Sequence, residues 1–154
     1  MSERGHNRQA RIVVGLDGSD ESTEALRWAL QECRLRGATL HAVMVWHDPS
    51  SYDLGHPYLS DLKQEEQAAR ARLDETIRAV TDEAEFAAMV RHVVEGEPSL
   101  MLCRIAEDAD LLVLGARGTG GFASLLRGSV ADRCAHHSHV PIVIVPQGRR
   151  TSSH

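Results

Sequence analysis

A chain of 154 residues is long enough for one compact domain with its own core. Its apolar share of 42% and charged share of 25% are ordinary globular proportions, which exclude collagen-like, disordered and disulfide-scaffold chains. A formal charge of −5 offers no broad basic field to a nucleic-acid backbone, so no nucleic-acid partner is expected.

The opening MSERGHNRQAR lacks the apolar core of a signal peptide. No apolar run reaches the roughly 20 residues that cross a bilayer. A cytoplasmic protein with no membrane partner is the expectation. Residues 1–10 read as a flexible segment, 11–146 as the folded domain and 147–154 as a flexible polar tail.

Arg11-Ile-Val-Val-Gly-Leu-Asp17 is an apolar run without alternation, the pattern of a strand covered on both faces. Ser19 is placed to cap a helix, with Asp20 and Glu21 in its positive first turn. Leu26, Ala29, Leu30 and Cys33 follow at helical spacing, and Gly37 closes the element. Thr39 to Trp46 reads as the second strand, and residues 47–60 as a loop. A long charged helix is expected from about Ser60 to Val80, burying Ala69, Leu73 and Ile77.

Phe86 to Val94 reads as a third strand, less purely apolar because of Arg91 and His92. Pro98 suits the first turn of the next helix, where its missing N–H costs nothing. Leu102, Ile105 and Ala106 form the buried face expected for it. Asp110-Leu-Leu-Val-Leu-Gly115 is the clearest buried strand. A helix from about Ser129 to His137 follows, with Asp132 three residues beyond Ser129 as in a capping box. Pro141-Ile-Val-Ile-Val-Pro146 is the last strand. Five strands alternating with four helices imply a single α/β domain, an open parallel sheet with helices on both faces.

Cys33, Cys103 and Cys134 are far apart in sequence and form no CxxC, so each reads as a small core hydrophobe on its helix. His136, His137 and His139 follow Cys134. Neighbouring helical residues point about 100° apart, so this run does not converge on a metal while helical.

Ligands of open α/β sheets bind beyond the carboxyl ends of the strands, where strand order reverses. Strand 1 ends in Gly15-Leu16-Asp17-Gly18-Ser19. Strand 4 ends in Gly115-Ala116-Arg117-Gly118-Thr119-Gly120-Gly121, with Gly128-Ser129 further on. Glycines let backbone N–H groups approach phosphate oxygens, and a helix starting at Ser129 adds donors and partial positive charge. Arg117 and Arg127 supply cations. Asp17, acceptor-only when ionised, suits a ribose hydroxyl or an adenine amino group. A P-loop is excluded, because Lys63 is the only lysine and lies far from this loop.

The pattern Gly115-x2-Gly118-x9-Gly128-Ser129 resembles the ATP-binding motif of the universal stress protein family, without a gap. The resemblance extends from Ile12-Val-Val-Gly-Leu-Asp-Gly-Ser19 to the closing Val140-Pro-Ile-Val-Ile-Val145. It implies an adenine nucleotide alpha-hydrolase-like sheet in strand order 3-2-1-4-5. It implies ATP as ligand, with Asp17 at the adenosine end beside Gly15 and Leu16, and the backbone of Val45 at adenine. Gly115, Gly118, Gly128, Ser129 and Val130 would wrap the phosphates, within the loop that also holds Ala116, Arg117, Thr119, Gly120 and Gly121. A Mg2+ or Mn2+ ion would be held mainly by the phosphates. The resemblance also implies a homodimer through the last strand, Ile142 to Val145, which would otherwise be an exposed apolar edge.

The resulting expectation is a nucleotide-dependent sensor or regulator in stress response, with an unidentified signalling partner. Ser124, Ser129 and Thr119 leave room for slow autophosphorylation or hydrolysis, but no general base for fast turnover is evident. The alternatives are a slow ATPase or nucleotidyl-transfer enzyme, and a nucleotide-free partner-binding domain.

Overall fold

The computed structural model of the chain describes residues 8–47, 59–116 and 129–147. Strands β1 (Arg11–Leu16), β2 (Thr39–Trp46), β3 (Val90–Glu95), β4 (Leu111–Gly115) and β5 (Ile142–Val145) make one parallel sheet, ordered β3-β2-β1-β4-β5. The chain builds outward from β1 to β3, then returns past β1 to lay down β4 and β5. Strand order therefore reverses between β1 and β4, as expected.

Side chains alternate across each strand, and both faces are covered. Ile12, Val14 and Leu16 meet α1 (Asp20–Arg36), α2 (Leu59–Arg78) and α3 (Glu83–Ala88) in one core. Val13, Val43, Leu112 and Leu114 meet α4 (Pro98–Ile105) and α5 (Ser129–His137) in the other. This two-sided burial is why β1 and β4 read as unbroken apolar runs. Edge strand β3 is mostly exposed or half-buried, which is why Arg91 and His92 are tolerated there.

Local signals set the helix ends. Ser19 Oγ accepts from Ser22 N at 3.2 Å, Asp20 and Glu21 fill the first turn of α1, and Gly37 ends it at φ 64°. Ala25, Leu26, Ala29, Leu30 and Cys33 are its buried residues, together with Ser22. Ala69, Leu73 and Ile77 form the buried stripe of α2. Pro98 opens α4, but the cap is Glu97, whose carboxylate accepts from Ser99 N at 3.2 Å and Leu100 N at 2.8 Å. Ahead of β1, Arg8 donates to the Asp108 carbonyl at 2.8 Å, and Ala10 accepts from Thr39 N at 2.8 Å.

One expected strand is corrected. The segment read as strand from Phe86 is helical through Ala88, and β3 begins at Val90. Asp82 caps this extra helix, its Oδ1 accepting from Glu85 N at 2.8 Å, and Glu83 and Glu85 occupy its first turn. Alanines at 84, 87 and 88 favour the helix, and Phe86 is buried from it. The guanidinium carbons of Arg78 and Arg91 lie 3.8 and 4.0 Å from the Phe86 ring centre, anchoring the short turn by cation–π contact. The described residues thus hold five α-helices rather than four.

The cysteines pack as core residues, as expected. Cys33 is a buried packing residue of α1. Cys103 and Cys134, distant in sequence, come together where α4 packs on α5.

Candidate functional site

A cavity of about 380 Å³ opens at the carboxyl ends of β1, β2 and β4, at the point of strand reversal. That volume lies within the range of small-ligand pockets. Gly15, Leu16 and Asp17 line it from β1 and its exit, Val43 to Trp46 from β2 with His47 just beyond, and Leu114 and Gly115 from β4. Pro98 and Leu102 of α4 and Ser129 to Ala131 of α5 close one side, and Glu65, Ala69 and Arg72 of α2 the other.

Asp17 is held firmly. Its Oδ1 accepts from Ser19 N at 2.9 Å and from the Ser19 hydroxyl, while Ser19 caps α1. The carboxylate therefore lies in the positive field of the α1 N-terminus. Ser22, on the first turn of α1, joins the lining, and its hydroxyl donates to the Ser19 carbonyl at 2.9 Å.

The glycines of the two strand ends have packing reasons of their own. A Cβ on Gly115 would lie 2.8 Å from the Glu21 carbonyl carbon and 2.9 Å from its oxygen, so α1 can close on β4 only over glycine. A Cβ on Gly15 would lie 2.7 Å from Leu114 Cδ2.

Of the residues singled out from sequence, Gly15, Leu16, Asp17, Val45, Gly115, Ser129 and Val130 all border this one cavity. Ala116 lies beside it, tied to β5 by its N–H to the Val145 carbonyl at 2.9 Å. Arg117, Gly118, Thr119, Gly120, Gly121 and Gly128 fall outside the described residues.

Sequence reasoning missed the α2 wall. Glu65, Ala69 and Arg72 stand at i, i+4 and i+7, one helical face continuing the buried stripe toward the strand ends, and that spacing was the available signal. The Arg72 stem packs beside Gly18, its Cδ 3.0 Å from where a Cβ there would stand. Across the cavity, Arg133 Nη1 of α5 reaches Glu97 Oε1 at 3.4 Å and pins α5 to the start of α4. Burial acts to raise the Glu97 carboxyl, but hydrogen bonds from Ser99 and Leu100, with Arg133, outweigh it and hold it below its ordinary range.

Among the described residues, no three metal-ligating side chains converge. His136 lies 3.8 Å from Asp132, one turn away on α5. No described helix is long and apolar enough to cross a membrane.

The architecture is an open, doubly wound α/β domain of the adenine nucleotide alpha-hydrolase-like kind, with its cavity at the switch point. A family profile described as the universal stress protein family matches residues 10–146, and the chain belongs to that family. The Mycobacterium tuberculosis universal stress protein Rv2623 is 32% identical over 139 residues, which are 90% of this chain and 46% of that protein. The chain spans about half the length of the curated relatives it matches. A universal stress protein solved in complex with cAMP is 27% identical, with TM-score 0.57 over 91% of this chain and 98% of that one. The Arabidopsis thaliana family protein At3g01520, solved with AMP bound, is 17% identical, with TM-score 0.62 over 94% of this chain and 95% of that one.

Proposed function

We propose that the chain binds an adenine nucleotide, ATP with Mg2+ or Mn2+, in the crevice between β1 and β4, and acts as a nucleotide-dependent regulator in stress response. The observation that carries this reading is the meeting of Asp17, Val45, Gly115 and Ser129 around one cavity of suitable size. Residues separated by about a hundred positions in the chain converge on the place where such sheets take their ligands.

The residues present fit the group. The β2 backbone at Val45 offers amide donors and acceptors to a purine edge, and Trp46 lies beside it. Asp17, fixed by Ser19, is an acceptor suited to ribose hydroxyls. Ser129 opens α5, a helix of nine residues whose N-terminal N–H groups favour phosphate. A divalent ion would offset phosphate charge and be held mainly by the phosphates. The cAMP complex of a relative at 27% identity supports the ligand class.

The reading is of a binder rather than a fast enzyme. Asp17 and Glu65 are the carboxylates among the described lining residues; the first is engaged by Ser19, and the second stands on the α2 wall, on the other side of the cavity from α5. Fast phosphoryl transfer needs a positioned base or water at the transferring group. Slow hydrolysis or autophosphorylation remains compatible with this layout. The outermost position of β5, whose four residues are all half-buried, supports a homodimer through Ile142–Val145.

Titration calorimetry of the nucleotide-stripped protein with Mg-ATP, AMP, cAMP and GTP tests the reading. The expected result is saturable binding of an adenine nucleotide at one site per chain. No binding of any nucleotide up to about 1 mM, where a Kd corresponds to only about 4 kcal/mol, would leave a partner-binding domain as the better account.

A further inference from the structure

We propose that Cys103 and Cys134 are an oxidisable thiol pair, which a hydroperoxide converts to a disulfide joining α4 to α5 beside the crevice. The proposal is independent of the nucleotide reading.

The placement follows from helix geometry. Ser99 stands one turn before Cys103 on α4, so its carbonyl oxygen points along the helix toward Cys103. The Cys134 Sγ of α5 lies 3.7 Å from that oxygen, which seats the sulfur against the same helical turn. Both cysteines belong to the core between the sheet, α4 and α5, and Arg133, next to Cys134, reaches Glu97 at the start of α4. Cys134 is 0% exposed, whereas Cys103 is only half-buried. Cys33 packs in the core on the other face of the sheet and has no part in the pair.

Exposure assigns the roles. The Cys103 thiolate attacks the O–O bond of the hydroperoxide, forming an S–O bond and releasing alkoxide or hydroxide. Sulfur is oxidised by two electrons to the sulfenic acid, and the peroxide is reduced. The Cys134 sulfur then displaces hydroxyl from the Cys103 sulfur. The S–S bond forms, the S–O bond breaks, and the Cys134 proton leaves with the hydroxyl as water. Burial first, then the charge and hydrogen bond of Cys103, push the Cys134 thiol up to about 12. Cys134 is thus a protonated resolving thiol, not the group that meets the oxidant. Leu102 of α4 and Ser129 to Ala131 of α5 border the cavity, so oxidation would tie together the two helices that close one of its sides.

The test treats the full chain with hydrogen peroxide and counts free thiols under denaturing conditions. The expected count falls from the three free cysteines to one, with a Cys103–Cys134 cross-linked peptide in a non-reducing digest. Closing a loop of this length should raise Tm by about 5 °C or more, reversibly with dithiothreitol. Cys33→Ala should leave the cross-link intact, and Cys103→Ser should abolish it. Three persisting thiols, sulfinic acid at Cys103 without a cross-link, or a cross-link found only between chains would each overturn the proposal. Peptide mapping of the natural protein keeps the test decisive even if a variant folds poorly.

Discussion

Acid should weaken this domain through a pair of histidines. His41 Nδ1 of β2 lies 2.9 Å from His92 Nε2 of β3, with ring centres 5.1 Å apart and planes inclined by 18°. Two nitrogens this close in nearly parallel rings with well-separated centres describe an end-on N–H···N hydrogen bond between neutral imidazoles. Burial first, then the Arg11 guanidinium, then His92 push His41 from 6.5 down to about 4. Burial and Arg11 lower His92 as well. The unfolded chain therefore binds more protons than the folded one between these values. The contribution of the pair to stability is full above about pH 6.5 and is lost as pH drops toward 4. At about 1.4 kcal/mol per pH unit, the His41 shift corresponds to a loss of about 3 kcal/mol by pH 4. That is a large fraction of the 5–15 kcal/mol typical of a domain. Urea unfolding at several pH values would measure it, comparing the natural protein with His41→Val/His92→Val. Valine suits a strand position, and the difference between the two curves cancels the carboxylates common to both. The natural protein should lose about 3 kcal/mol relative to the double variant as pH falls from 6.5 to 4. Parallel curves across that range would refute the reasoning.

Gly115→Ala places a methyl group against the Glu21 backbone, and overpacking of this kind should cost about 1–3 kcal/mol in urea unfolding. Ser19→Ala removes the α1 cap and a donor to Asp17, and should cost about 1 kcal/mol while weakening nucleotide binding in calorimetry. Ile144→Asp puts a charge on edge strand β5, and sedimentation should show the proposed homodimer replaced by monomer.

The central fold was legible because its physics is local in sequence. β1 and β4 are buried on both faces, so their apolar runs are unbroken, and α1 carries its cap, acidic first turn and closing glycine in plain order. The misses came from contests between neighbours or from tertiary register. Around Phe86 an apolar strand pattern overshadowed the Asp82 cap and the alanines that make α3. Glu97 was passed over because glutamate is not among the usual capping residues, yet its longer side chain reaches both backbone N–H groups. The His41–His92 and Cys103–Cys134 pairs depend on how β2 aligns with β3 and α4 packs on α5, which no spacing along the chain encodes. The cavity was legible at its strand ends and at Ser129, where glycines and a helix start mark the place. Arg72 was not, because its position depends on how α2 lies across the sheet.

Backbone amide NMR of labelled protein titrated with Mg-ATP tests the central claim most directly. The account predicts shifts concentrated at Leu16 and Asp17, Val45 and Trp46, Gly115, and Ser129 and Val130, the residues that border the cavity. Shifts confined to the outer face of α2 or to edge strand β3, or none at saturating nucleotide, would contradict it.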